Sequence, residues 1–441
     1  MSLTSVSPID GRYKEKTLEL SPFVSEFALI RTRVEIETKY LIAVSKLGLL
    51  RLGPRERSKI QNLVKGFDLD EAEKVKEIEE RVRHDVKAIE IYLRNELKPE
   101  VSEMIHFGLT SEDINNIAYR LMLRDGFFVA VLPYLQKLRN ELKQLAKKHK
   151  NIPILARTHG QPAVPTTLGK EIMVFLTRLS SEIEKIERIR FTGKLNGAVG
   201  NYNALHFSYP KVNWLKFSRD FIQSFGFRPN LLTTQVNSNE DIIEFFQNIQ
   251  RINGILIDLN QDLWRYISDG WLVLNSEKDQ VGSSTMPQKI NPIDFENSEG
   301  NLKMANGIIE LFTRELPISR LQRDLSGSTI LRNIGGVLAH SLLAYKNTLF
   351  GLSKITIDKN QILEDLNSDW SILSEALQTI LRIEHVKDSY SKVLELTKGK
   401  KLDREDWLNL VEALQISGKN KQKLLNLTPS KYTGLASKLV K

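Results

Sequence analysis

The sequence predicts an all-α fold organised around long bundle helices, on three observations. Its 14 prolines leave residues 230–286 and 318–428 without one, as long uninterrupted helices require. Apolar residues recur at spacings of three and four along two segments, for long enough to form heptad seams. No segment of useful length alternates apolar and polar residues as a half-buried strand does.

Taken in order, helical patterns cover about residues 22–50 and 71–97. A longer one, about 111–149, opens at Thr110-Ser111-Glu112-Asp113, which supplies a cap and first-turn carboxylates. Its seam runs Ile114, Ile117, Leu121, Phe128, Val131, Leu135, Leu138, Leu142 and Leu145. Arg124 interrupts the repeat where an apolar residue is expected, and Pro133 is predicted to kink the helix. Asn151, Pro153, Gly160, Pro162 and Pro165 end it. Another pattern covers 167–192, and the second seam follows: Ile242, Phe245, Ile249, Ile252, Leu256, Leu259, Leu263 and Tyr266. Residues 292–314, 330–350 and most of 359–427 complete the helical reading. The expected organisation is an N-terminal helical domain (1–109), a central long-helix domain (110–355) with a loop at 280–292, and a C-terminal helical domain (356–441). Two heptad seams mean a bundle, within one chain or between subunits, and a purely structural scaffold satisfies them as well as an enzyme does.

Composition excludes several chemistries. Without cysteine the chain has no disulfide, thiolate metal site, iron–sulfur ligation or cysteine nucleophile. No apolar run approaches the ~18 residues that span a bilayer, and the N-terminal residues lack a signal-peptide stretch, so a cytoplasmic protein is expected. The net charge of +9 favours anionic partners such as nucleic acid, nucleotide or a polycarboxylate, although the basic residues are spread as on a mixed-charge surface. Neither a phosphate loop nor a glycine dinucleotide fingerprint occurs, and the 7 histidines show no paired i, i+4 spacing. Nothing in the sequence calls for a metal or a cofactor.

The polar segments joining the helices are where catalytic groups are expected. Ala156-Arg157-Thr158-His159-Gly160-Gln161-Pro162 places a histidine among small and helix-breaking residues, where it is either a titrating group or an exposed bystander. Gly282-Ser283-Ser284-Thr285-Met286-Pro287-Gln288-Lys289-Ile290-Asn291-Pro292 sets three hydroxyls, a lysine and an asparagine before a helix, as an anion site or a linker. Its small residues over 280–291 predict a lid that closes over ligand. The stretch Arg320 to Thr329 clusters two arginines with hydroxyls ahead of Arg332, suiting carboxylate or phosphate capture or surface ion pairing. Arg83-His84-Asp85 lies inside a helical pattern and Thr110-Ser111 at a helix start.

The second of these segments resembles the signature loop of the fumarase/aspartase superfamily, with Thr110-Ser111 and Thr158-His159 at corresponding places. Within it, Ser7 to Tyr13, His84 to Ala88, Arg157 to Pro162, Gly197 to Tyr202 and Asp294 to Asn301 resemble the bacterial adenylosuccinate lyase family over nearly the whole chain. Gln288 stands where many relatives carry histidine, Arg83 where asparagine is common, and Asn237-Ser238-Asn239-Glu240 where a Pro-His-Asp stretch is expected.

The resemblance implies a cofactor-free and metal-free lyase, assembled as a homotetramer whose subunits complete the central bundle. Such a lyase eliminates fumarate from two anionic succinyl-nucleotides, with neither nucleic acid nor membrane as partner. It makes Ser283 the base that takes the proton beside a succinyl carboxylate and His159 the acid at the departing nitrogen. Lys289 and backbone donors at a helix start would favour the alkoxide and the developing negative charge. Around the substrate it sets Arg12, Tyr13, Arg83, His84, Asp85, Thr110, Ser111, Gln235, Ser284, Lys289, Asn291, Arg323, Ser328 and Arg332. A helix from about 111 to 149 rises ~1.5 Å per residue, so Thr110-Ser111 and Thr158-His159 are expected at one substrate only if different subunits supply them. Another fumarate-releasing member, such as an argininosuccinate lyase, and a non-catalytic helical scaffold are the alternatives.

Overall fold

A computed structural model describes residues 3–275, 285–286 and 288–441. Helices dominate, and the chain forms two compact units, each drawn from three stretches: Met1–Leu135, Glu182–Gly254 and Gly300–Lys346 in the first, Gln136–Ser181, Ile255–Glu299 and Asn347–Lys441 in the second. Among the described residues no helix is long and apolar enough to cross a membrane.

In the first unit, helix Glu26–Lys46 starts where the Ser25 hydroxyl accepts the Ala28 amide. Its Ile30, Val34 and Leu41 share a core with Ile60, Val75, Ile78, Ala88, Ile89 and Tyr92 from the three helices that follow. Two charged residues, Arg33 and Glu37, sit on the same buried face. Buried charges require partners. Arg33 takes Asp85, and Glu37 meets His106 Nδ1 at 2.5 Å. Burial pushes the His106 pKa down, but Glu37 outweighs it and leaves the value raised.

The single helical pattern expected over 71–97 is two helices, Leu69–Val82 and Asp85–Glu96. Arg83 turns into the left-handed region at φ 53°, its amide bonded to Glu79 O at 2.7 Å, and His84 then caps a new helix. His84 and Asp85 are therefore at a helix start and not along a helical face.

From Ser111 to Lys148 the chain stays helical, but with a π segment, Gly126–Val131, between Ser111–Asp125 and Leu132–Lys148. Pro133 supplies the cause: it lacks an N–H and its ring crowds the carbonyl four residues back, so the preceding turn widens. The Leu132 amide accordingly bonds Phe127 O. The extra residue shifts the phase of the seam, so Phe127, rather than Phe128, is fully buried, while Val131, Leu135, Leu138 and Leu142 keep their places. Arg124 donates to Phe225 O at 2.6 Å, pairs with Asp125 at 2.7 Å and lies 5.3 Å from the centre of the Phe227 ring. These contacts account for its place in an apolar seam.

In helix Glu240–Ser268 every seam residue from Ile242 to Leu263 is buried and Tyr266 is half-buried. Buried asparagines add polar layers to this packing. In the first unit Asn253 donates to Asn306 at 3.0 Å and accepts the Tyr345 hydroxyl at 2.7 Å. In the second, Asn260 donates to Ser298 Oγ at 2.9 Å and accepts from Thr348 Oγ1 at 3.2 Å.

The second unit contains a β-hairpin that the sequence reading treats as a loop, with Pro153–Thr158 antiparallel to Gln161–Thr167. Pro162 and Pro165 mask it, because proline is compatible with a two-stranded ribbon only where its missing donor faces outward. A second short pair joins Leu272–Leu274 to Ile355–Ile357. The pattern over 359–427 resolves into short helices, several started by aspartates: Asp358 before Lys359–Asn367, Asp369 before Trp370–Leu373 and Asp403 before Arg404–Glu412. Trp407, fully buried, closes this region by donating to Leu424 O at 3.1 Å.

Candidate functional site

At the helix start created by the Arg83 break, the His84 ring nitrogen Nδ1 accepts the Lys87 amide at 3.2 Å. Nδ1 as acceptor puts the proton of the neutral ring on Nε2, on an exposed side chain. Asp85 Oδ1 accepts its neighbour's amide, from Val86, at 2.8 Å, and Oδ2 accepts from Arg33 at 2.7 Å and Arg332 at 3.0 Å. Burial raises the Asp85 pKa, yet Arg33, the Val86 amide and Arg332 together hold it below its ordinary value. Arg33 also donates to Asn115 at 2.9 Å and so ties this corner to the helix that begins at Ser111.

Thr110 caps that helix in a capping box, with its amide donating to Asp113 Oδ2 at 2.9 Å. Nearby, Arg323 Nη1 donates to Gln235 Oε1 at 2.9 Å, and Arg323 Nη2 lies 3.5 Å from Ser328 Oγ. Gln235 in turn donates to Ala198 O at 2.7 Å, and Glu112 faces Arg323 at 3.5 Å. Burial pushes the Glu112 carboxyl above its ordinary pKa despite Arg323, Lys194 and Arg120. Of the arginines in the 320–329 stretch, Arg323 is the one held inward, while Arg320 is exposed and pairs with Asp324 at 3.1 Å. Arg12 is exposed, its guanidinium 5.9 Å from the centre of the Tyr13 ring.

The first unit thus brings Asp85 to Arg332, and Gln235 to Arg323 and Ser328. In the second unit His159 and Gly160 form the two-residue turn between Thr158 and Gln161, with φ 53° and 74°. Such a turn needs left-handed backbone at both positions, which histidine tolerates better than β-branched residues. The His159 side chain is exposed at its tip, and Arg157 approaches Asp269 at 3.8 Å. Lys289 is exposed, its amide donating to Met286 O at 3.0 Å, and Asn291 is half-buried. Ser283 and Ser284, and with them most of the expected lid, lie outside the described residues.

Several residues around these groups escape the sequence reading. Arg33 is signalled only by being a charge on an otherwise apolar helix face, and Glu112 and Asp113 look like ordinary first-turn carboxylates. In the unusual stretch Asn237 to Glu240, Asn237 accepts from Asn230 at 3.0 Å and donates to Thr192 at 3.2 Å, while Asn239 reaches Leu316 O at 3.4 Å.

A family model described as lyase matches residues 25–307, and one described as adenylosuccinate lyase C-terminal matches residues 319–433. An adenylosuccinate lyase of Buchnera aphidicola subsp. Baizongia pistaciae is 43% identical over 446 residues, covering 100% of this chain and 97% of the relative. The chain belongs to the adenylosuccinate lyase family. Adenylosuccinate lyases of Legionella pneumophila (strain Corby) and Escherichia coli (strain K12) are 42% and 40% identical, each over 100% of this chain and 98% of its own length. A fumarate lyase from Mesorhizobium sp. BNC1 superposes with a TM-score of 0.79 at 19% identity, covering 97% of this chain and 96% of that one. The 3-carboxy-cis,cis-muconate lactonizing enzyme from Pseudomonas putida gives 0.77, also at 19% identity, over 96% and 94%. At that identity the two structures show the fold of this chain alone, and nothing about reaction or substrate.

Proposed function

We propose that this chain is an adenylosuccinate lyase, which releases fumarate by β-elimination from adenylosuccinate, giving AMP, and from succinylaminoimidazole carboxamide ribotide, giving AICAR. The observation that carries the reading is the 40% to 43% identity to adenylosuccinate lyases along the entire chain. In the proposed chemistry Ser283 removes the proton from the succinyl carbon beside a carboxylate. The electron pair left there forms the double bond of fumarate as the C–N bond breaks, and His159 protonates the departing nitrogen.

The substrate carries a phosphate and two carboxylates, so cations fixed before it arrives lower the cost of binding. Arg323, held by Gln235, and Arg332, held by Asp85, suit that need, and Arg12, Lys289 and Asn291 complete the proposed set with Tyr13, Arg83, His84, Thr110, Ser111, Ser284 and Ser328. Arg83 contributes by its backbone, because its left-handed turn is what begins the His84-Asp85 helix.

A homotetramer with shared sites is part of the proposal. Its support is that the chain is helical from Ser111 to Lys148, as the shared-site expectation requires. The division into 1–109, 110–355 and 356–441 stays part of the proposal, with the capping box at Thr110 marking where the long helix of the central part begins. A cytoplasmic location follows from the proposed substrates. The test is fumarate release with adenylosuccinate, argininosuccinate and malate offered separately. Release from adenylosuccinate is expected, whereas release from argininosuccinate alone would assign the chain to another reaction.

A further inference from the structure

Asp113 and Lys194 pair at 3.0 Å with both side chains fully buried. The Asp113 carboxylate also accepts the amides of Thr110 at 2.9 Å, Asn196 at 2.9 Å and Gly197 at 3.1 Å, and the Lys194 ammonium donates to Gly197 O at 3.1 Å. Asn116 doubles the attachment by accepting the Lys194 amide at 2.9 Å and donating to Lys194 O at 3.1 Å. One buried ion pair thus holds the first turn of the Ser111 helix against residues 194–197.

The next residue extends this attachment to the binding groups. Ala198 O holds Gln235, Gln235 holds Arg323, and Arg323 faces Glu112, the neighbour of Asp113. The contacts close a ring through four separate stretches of chain. Its turn depends on glycine, because Gly200 has φ +84° and a Cβ there would lie 2.0 Å from Thr233 O.

We propose that Asp113 and Lys194 are positioning residues that set Thr110-Ser111 and the Gln235–Arg323 arm as one unit without touching substrate. The proposal rests on the lyase reading above. A buried carboxylate saturated by three amides and an ammonium has no capacity left for a ligand, and its role is to fix where its donors stand. Displacing Thr110 or Arg323 weakens contacts made alike in the ground and transition states, which raises KM more than it lowers kcat.

The experiment compares Asp113→Asn and the charge-free Asp113→Asn/Lys194→Met with the unmodified protein, by thermal unfolding and by fumarate release from adenylosuccinate. For folded variants KM is expected to rise about tenfold or more with kcat within about threefold. Kinetic constants unchanged beside a lowered Tm would overturn the proposal and leave the pair a purely structural one. An inactive unmodified protein would instead refute the lyase reading. Should neither variant fold, amide-resolved hydrogen exchange on the unmodified protein decides: the Thr110, Asn196 and Gly197 amides must open together, and protection differing by more than about tenfold among them would overturn the single anchor.

Discussion

The Asp85 carboxylate accepts a hydrogen bond from Arg332 at 3.0 Å across 247 positions of sequence, on the oxygen that Arg33 also holds at 2.7 Å. Replacing Asp85 by asparagine removes the charge while Arg33 stays buried. The expected cost at neutral pH is about 2 to 3 kcal/mol by urea denaturation. Because the folded pKa is lowered, the carboxylate's contribution is complete above the ordinary carboxylate value and is lost as pH falls through the folded one. The gap between parent and Asp85→Asn should therefore narrow in acid. A gap that widens there would assign the stabilisation to other groups.

Asn253 satisfies the Tyr345 hydroxyl and the Asn306 side chain inside the bundle of the first unit. Asn253→Ala leaves both without this partner, at about 2 to 3 kcal/mol, while Tyr345→Phe leaves one buried acceptor, Asn253 Oδ1, without its donor, at about 1 to 2 kcal/mol. Chemical denaturation of the two variants measures the order, and Tyr345→Phe costing the more would refute the polar-layer account.

His159 combines a conformational demand with a chemical one. Asparagine tolerates the left-handed backbone, so His159→Asn should keep the hairpin and a Tm within about 2 °C of the parent. Fumarate release should fall by about two to four orders of magnitude, the usual worth of a general acid. Activity retained by a folded His159→Asn protein would place the proton donor elsewhere.

Shared sites predict complementation. An inactive His159→Gln protein and an inactive Thr110→Ala/Ser111→Ala protein, dissociated and reassembled together, should form some sites free of both lesions and regain activity. Verified mixed oligomers as inactive as either parent would mean that each chain builds its own pocket.

How much of this is legible in sequence depends on whether the controlling contact is local. The seam from Ile242 to Leu263 is readable because burial of one face repeats at the helical period. The phase shift at Phe127 is not, because a π turn adds a residue without any change in composition. Arg83 ends a helix without glycine or asparagine, so His84 and Asp85 look helical in sequence and become a cap and a first-turn carboxylate in the fold. The hairpin of His159 is hidden by its prolines. The proposed site residues stand out by type and neighbours, but what holds them does not: Arg33, Asp113 and Lys194 reach their partners across 52, 83 and 81 positions, and no local pattern encodes such distances.

The central claim is tested most directly by incubating the unmodified protein with adenylosuccinate and quantifying both products as they form. The account predicts AMP and fumarate in equal amounts, at a rate proportional to protein and with no added metal or cofactor. Folded protein that leaves adenylosuccinate intact, or releases fumarate without an equal amount of AMP, would contradict it.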